Sequence, residues 1–231
     1  MPEQVSGYTV GEGGEFNIPS NVDRNVAVLR IQEGLGFRRD REATTIRRLQ
    51  EAQRELERGK SLPKFMLIED EAIALAAQAN EVALPARFLR RSDQLIRYTP
   101  QYSTYPKRLP WKDYDTAALA YQSYNPGGPI VVSMRAESLY FFPTADRAYT
   151  LSWSYYQKAV TLEDNTTNAW LEHAPEWLIG EAGLRMAKDT RNPTAIQLFT
   201  DMRNAGMSAW LKETFMDEVD DMQPLTIGAN N

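Results

Sequence analysis

The chain has 231 residues, of which 42% are hydrophobic and 25% charged. This is a globular mixture that excludes a wholly disordered chain, a collagen-like fibre and a membrane bundle. Without cysteine there is no disulfide, thiol nucleophile or thiolate metal site, and a single histidine excludes a histidine-rich metal centre. The formal net charge of −5 is unlike that of a histone-type protein. We expect a soluble protein made in the cytoplasm, because neither a signal segment nor an apolar run of membrane-spanning length is visible.

Composition predicts one folded domain over residues 21–217 with an extension at each end. Residues 1–20 are glycine-rich with few large aliphatic side chains, so they form either a disordered arm or an arm that orders on a neighbouring subunit. Residues 218–231 begin with an acidic stretch and have no apolar period, which predicts a C-terminal tail. The domain is predicted to contain two helical segments and a β-rich insertion, at about residues 22–60, 166–217 and 61–165 respectively.

The first helical segment is predicted to form two helices. The first begins at Asn21 or Asp23 as the N-cap and ends at Gly34 and Gly36. The second begins near residues 41–44 and stops at Gly59. Its apolar stripe, at helical spacing, consists of Ile46, Leu49, Ala52 and Leu56.

Cap and proline signals mark the helix starts of the C-terminal segment. Thr167 or Asn168 is predicted to cap a short helix, and Pro175 fits the first position of the next. Asn192 followed by Pro193 predicts the same start for a third helix. Because each helix has one apolar face that needs a partner, we expect the N- and C-terminal helices to share one core.

The insertion contains most of the strand signal. Residues 149–156 alternate large aromatic or aliphatic side chains with polar ones, which is the period of a strand. The apolar runs at 130–132 and 139–142 have strand length, and residues 143–147 predict a hairpin turn between two strands. Residues 113–122 predict one short helix.

Residues 69–80 allow two interpretations. Their alanine-rich composition favours a helix by propensity. The alternative is a short hairpin, because apolar runs flank the turn-prone Asn80 and Pro85 blocks a helix running on.

No catalytic constellation is visible in the sequence. The glycines at residues 11–14 lack the spacing and context of a nucleotide-binding loop. His173 and Glu176 are too few for a zinc site, and no serine has a nucleophile-elbow context. Nothing marks two carboxylates as a catalytic pair. We therefore expect no enzyme, no cofactor and no metal.

Two basic clusters, each with a net charge of +3, are the stronger functional signal. Residues 38–60 interleave positive and negative side chains, which favours a solvated, salt-bridged face, with a surface for an acidic partner or for DNA phosphates as the alternative. Residues 87–97 contain a single acid, Asp93, which favours an interaction surface. The interface candidates are the four arginines of this second cluster and three acids near the C-terminus: Arg87, Arg90, Arg91, Arg97, Glu218, Asp220 and Asp221.

Four stretches in order resemble one family. Residues 168–182 (NAWLEHAPEWLIGEA) are similar to the N-W-L-L-x-x-A-P-D-L-Y-L pattern of tailed-phage head–tail adaptor proteins. Residues 82–89 resemble the family's V-x-L-P-x-D-F-L, and residues 149–162 its strand that ends in a double tyrosine. Residues 46–56 resemble its early helix with A-Q-R-E.

This resemblance implies a fold and a function. The fold is α+β and mainly α: a helical bundle of the N- and C-terminal helices with a small antiparallel β region inserted, which resolves residues 69–80 towards strands. Such adaptors form rings, typically dodecamers, at the head–tail junction of the virion. They join the portal protein to tail or nozzle proteins and leave a channel that DNA crosses without specific binding.

Two other functions stay open on the sequence alone. The first is a minor tail protein or a capsid-stabilising protein with a different ring symmetry. The second, from another class, is a phage-encoded hydrolase, for which a carboxylate pair lining a cleft would be the sign.

Overall fold

The structure, a computed structural model, describes residues 22–101, 103–163 and 166–220, with the α6 side chains described as far as Leu211. The helices are α1 Arg24–Gly34, α2 Glu42–Arg58, α3 Tyr114–Tyr121, α4 Ala169–His173, α5 Pro175–Thr190 and α6 Pro193–Asp220. The strands are β1 Leu67–Leu75, β2 Glu81–Ala83, β3 Phe88–Arg91, β4 Ile96–Tyr98, β5 Lys107–Leu109, β6 Val131–Arg135, β7 Ser138–Phe142 and β8 Tyr149–Gln157.

The chain divides into two compact units. The helical unit comprises the described residues of Met1–Ser61 and Val160–Asn231, and the strand unit comprises Leu62–Ala159. No described helix has an apolar stretch long enough to cross a membrane.

The predicted fold class, a mainly α bundle with a small β insert, is wrong. The structure is 44% helical and 24% strand, and its eight described strands form two antiparallel sheets. The error has a physical cause, because several strands are too short or too polar to show an alternating pattern. β2, β4 and β5 have three residues each, and the middle of β1 is exposed on both faces.

The ends of the helices in the helical unit follow the predicted caps. The Asp23 carboxylate accepts a hydrogen bond from the Val26 amide at 2.8 Å, and α1 ends at Gly34. Gly59 follows the last residue of α2. Pro175 and Pro193 are the first residues of α5 and α6, and the Asn192 side chain accepts from the Ala195 amide at 3.1 Å.

The N- and C-terminal helices pack together, as expected. α2 contacts α5, and α5 contacts α6. Leu49 and Ala52 of α2 are fully buried, whereas Ile46 and Leu56 of the predicted stripe are half-buried. The Arg48 guanidinium of α2 donates to the Asp189 carboxylate at the end of α5, at 2.6 Å.

Close approach of α5 and α6 depends on glycine. A Cβ at Gly180 would lie 2.6 Å from the backbone nitrogen of Arg203, and one at Gly206 would lie 2.5 Å from that of Trp177. Both distances are shorter than any normal contact, so the two backbones pack directly against each other at these positions.

The five-stranded sheet of the strand unit is built around β8. β1 pairs along one edge of β8, while β3 and β4 share the other edge, and β5 pairs with the far side of β4. Leu151, Trp153 and Tyr155 of β8 are buried on one face. Residues 67–75 are therefore strand and not helix, because pairing with β8 overrides the alanine propensity.

The second sheet has the order β2-β7-β6, and α3 packs on it through the buried Ala117. The predicted hairpin turn at residues 143–147 is wrong, since β7 and β8 belong to different sheets. Residues 143–148 instead carry the chain from one sheet to the other. There, backbone hydrogen bonds link Ala145 with Gln78 and Ala79 at 2.8 and 3.0 Å, so the chain stays paired through the bend.

Candidate interaction surface

The described residues show no catalytic or metal-binding cluster. No group of three or more histidine, aspartate or glutamate side chains among them is arranged to hold a metal ion. His173 is exposed at the end of α4, at the surface of the helical unit. The surfaces that bear on function are therefore the charged ones.

Three of the four arginines predicted as interface candidates lie around β3. Arg87 is exposed in the turn before this strand, and its carbonyl accepts a hydrogen bond from the Lys158 amide at 2.7 Å. Arg90 is half-buried and pairs across the sheet with Tyr156. Arg91 is exposed, with its guanidinium 5.2 Å from the centre of the Trp111 ring. These three form the β3 arginine cluster.

Arg97, the fourth candidate, already has a carboxylate partner within its own sheet. Its guanidinium binds Asp70, which lies in a β-bulge of β1 with a left-handed φ of 52°. The Ser152 hydroxyl donates to the same carboxylate at 2.9 Å, and the Asp70 amide donates to the Ser154 hydroxyl oxygen at 3.1 Å. Arg97 therefore holds the bulge in place rather than presenting an unneutralised charge.

A depression of about 540 Å³ lies beside this ion pair, and its polar lining includes Arg97, Arg147, Thr150 and Ser152. The Arg147 guanidinium binds the side-chain oxygen of Gln101 and lies 5.3 Å from the centre of the Tyr149 ring. Burial and a hydrogen bond to Asp146 raise the pKa of Tyr149, so this phenol stays protonated and donates. The Arg97, Arg147 and Ser152 side chains of the lining already have hydrogen-bond partners within the strand unit.

The basic cluster at residues 38–60 is salt-bridged, as predicted. Arg48 donates to Glu51 at 2.7 Å, and this hydrogen bond lowers the pKa of the Glu51 carboxyl. Arg38 binds Asp40 at 3.0 Å and likewise lowers the pKa of Asp40. Much of this positive charge is consequently neutralised inside the helical unit.

The acidic candidates lie at the limit of the described chain. Glu218 and Asp220 belong to the last turn of α6, and Asp221 lies outside the described residues, as do residues 1–20 and 222–231. The predicted N-terminal arm and almost all of the predicted tail are thus outside the described residues.

The sequence analysis missed the charged residues of two strands, β1 and β5. Glu69, Asp70 and Glu71 are consecutive exposed residues of β1, and Lys107 and Arg108 are exposed in β5. Their charges are visible in the sequence. Their position at the two ends of the strand order becomes known only when β1 is paired with β8 and β5 with β4.

Comparison with known families decides the identity of the chain. The sequence model described as SU10 adaptor protein matches residues 10–225, which is nearly the whole chain. The chain belongs to the SU10 adaptor protein family. No curated protein sequence matches it significantly. The resemblance to phage head–tail adaptors is confirmed.

Membership of the SU10 adaptor family makes the chain a structural component of a phage virion that contacts other virion proteins. Such adaptors are typically not enzymes. The family-like motifs of the chain also acquire a structural meaning. The side-chain oxygen of Gln53, from the A-Q-R-E stretch of α2, accepts a hydrogen bond from the side-chain nitrogen of Asn168 at 3.1 Å.

Asn168, from the family-like stretch at residues 168–182, is the centre of a buried polar network. Its side-chain oxygen accepts from the Trp170 and Leu171 amides at 3.1 and 3.2 Å and so caps α4. Its nitrogen also donates to the Val160 carbonyl at 2.9 Å. Two motifs that are far apart in the sequence of this SU10 adaptor therefore meet to fix α4 against α2.

Proposed function

We propose that this SU10 adaptor forms a dodecameric ring at the head–tail junction that joins the portal protein to the tail or nozzle proteins. The single observation that carries the proposal is the family match over residues 10–225. A ring component also suits the described residues, which present charged surfaces and no assembled catalytic or metal site.

The candidate residues divide between two kinds of partner surface in this proposal. The β3 arginine cluster, Arg87, Arg90 and Arg91, contacts acidic groups on the portal or on a tail protein. Glu218, Asp220 and Asp221 contact a basic groove on a partner protein. Arg97, the fourth candidate arginine, contacts the same partner as the β3 arginine cluster, as a member of its ion pair with Asp70.

DNA passes through the proposed ring without specific binding. A strongly basic lining would hold DNA, because each neutralised phosphate adds binding free energy. The net charge of −5 supports a lumen that is not strongly basic. The β3 arginine cluster would then face other proteins and not the DNA.

Titration of the purified chain onto purified portal rings tests the proposal, with mass photometry as the readout. We expect a discrete complex with twelve added chains. Arg87→Glu is expected to weaken attachment severalfold, whereas Arg54→Glu, on the exposed face of α2, leaves it unchanged. A chain that never binds the portal contradicts the proposal, and one that cleaves cell-wall polymer favours the hydrolase instead.

A further inference from the structure

β1 and β5 are the two terminal strands of the order β1-β8-β4-β5, and β3, which pairs only with β8, lies off this order beside β4. β1 pairs with β8 on its inner side only, and β5 pairs with β4 on its inner side only. Among the described residues, no backbone group pairs with the outer edge of either strand. Unpaired edges of this kind are templates for another strand.

The two edges carry opposite charge. β1 presents the exposed residues Glu69, Asp70 and Glu71 in succession, and among the described residues Arg97 pairs with Asp70. β5 presents Lys107 and Arg108, both exposed and without a carboxylate partner among the described residues. One edge of the sheet is therefore acidic and the other basic.

Strand direction also makes the edges complementary. β1 is antiparallel to β8, β8 to β4, and β4 to β5, so β1 and β5 run in opposite directions. If a second copy is placed beside the first in the same orientation, its β1 lies antiparallel to the first copy's β5. The alternation of the sheet then continues unbroken across the boundary.

We infer that β5 of one copy pairs antiparallel with β1 of the next copy, so that a second copy of this chain covers each edge. Two β1 edges repel each other, as do two β5 edges, so the charges disfavour a two-fold dimer and favour a head-to-tail contact. Repeated head-to-tail contacts form a ring when the rotation from one copy to the next closes, as the proposed function requires. The inference rests on the proposed ring function.

The β5–β1 contact between two neighbouring copies is weak on its own. β5 has three residues, so it offers a short ladder of hydrogen bonds to the next copy. Closure of the ring supports each weak contact by all the others, as in other multivalent assemblies. Assembly is consequently sensitive to salt, because the complementary charges lie at the surface.

Charge reversal at one residue of each edge tests the inference. Glu69 and Arg108 are suitable because no described contact of the fold depends on their side chains. Asp70 and Glu71 are unsuitable for this test, because Asp70 holds the bulge and Glu71 accepts a hydrogen bond from the Tyr155 hydroxyl. We expect Glu69→Lys and Arg108→Glu, each alone, to weaken self-association roughly tenfold per contact at low salt.

Mixing the two variants gives the decisive result. Each variant alone opposes like charges at every contact, but alternating copies of Glu69→Lys and Arg108→Glu again oppose opposite charges. We therefore expect rings from the mixture, and from the chain that carries both reversals, under conditions where neither single variant assembles. Glu137→Lys and Lys158→Glu, at exposed sites of the same unit, serve as matched controls that leave assembly unchanged.

Hydrogen exchange tests the backbone pairing itself. Amides of residues 67–75 and 107–109 that face the outer edges are expected to exchange more slowly in the ring than in the monomer. Rings that form with no added protection there, that tolerate each single reversal, or that respond equally to the control variants overturn the inference while the proposed function stands. A chain that binds no portal and forms no ring defeats the proposed function as well.

Discussion

The buried Asn168 side chain takes part in four hydrogen bonds of the helical unit. Asn168→Ala removes two capping bonds of α4 and the hydrogen bond to Gln53, so we expect a loss of about 2–3 kcal/mol in the free energy of unfolding. Urea unfolding followed by circular dichroism measures it.

Asn192 provides the matched comparison for this prediction. It caps α6 through a single hydrogen bond to the Ala195 amide. Asn192→Ala should therefore cost only about 1 kcal/mol. Equal losses for the two variants would show that Asn168 acts as a simple cap and that its network adds nothing.

The stability of the strand unit is expected to fall at alkaline pH because of Tyr155. Burial, followed by the hydrogen bond to Glu71, raises the pKa of this phenol in the folded state. The unfolded state therefore loses the proton first, so stability is complete below the ordinary tyrosine pKa of about 10 and falls above it by about 1.4 kcal/mol per pH unit. Urea unfolding at a series of alkaline pH values measures this fall.

Tyr155→Phe is the control for the alkaline effect. The variant is expected to be less stable at neutral pH, because it leaves Glu71 without this donor, but its stability should fall less steeply above pH 10. Tyr98 and Tyr149, whose pKa values are raised by burial, and Tyr140, whose pKa is raised by its hydrogen bond to Glu81, contribute to the slope that remains. An unchanged slope in Tyr155→Phe would contradict the account.

At the level of elements, α5 and α6 can pack this closely only because glycine stands at the points of contact. Gly206→Ala would place a methyl group against the Trp177 backbone, and neither backbone is free to move without separating the helices. We expect a loss of about 1–3 kcal/mol despite the better helix propensity of alanine. Ser208→Ala, at an exposed position of α6, should change the free energy of unfolding by less than about 0.5 kcal/mol. Thermal unfolding of both variants measures the two changes. A neutral Gly206→Ala would show that the helices pack less closely.

The helices were more predictable from sequence than the sheets. Asp23, Pro175 and Pro193 act locally, within one turn of the helix that they start, so their meaning is visible in the sequence. Strand pairing depends on residues far apart in the chain, such as Ala72 of β1 opposite Ser152 of β8. This is why residues 69–80 had two interpretations and why the size of the β region was underestimated.

The candidate surface was predictable only in part, for the same reason. The arginines at residues 87–97 are recognisable as a cluster, but the neutralisation of Arg97 by Asp70 depends on a β-bulge that no local pattern marks. The opposite charges of the β1 and β5 edges likewise become visible only when the order of the strands is known.

For the whole molecule, the C-terminal tail is predicted to serve attachment rather than folding. Deletion of residues 218–231 removes the acidic group Glu218, Asp220 and Asp221 and no part of the described core. We expect weaker binding to the portal, with the largest difference from the full chain at low salt, and a nearly unchanged melting temperature of the monomer. A large loss of thermal stability would show instead that the tail belongs to the core.

The position of the chain in the virion is the central claim. Electron cryo-microscopy of purified virions, with the helical and strand units fitted separately into the density, tests it most directly. The account predicts twelve copies in one ring between the portal and the tail, with β1 of each copy beside β5 of the next. Density for this fold elsewhere in the particle, or its absence from the head–tail junction, would contradict the account.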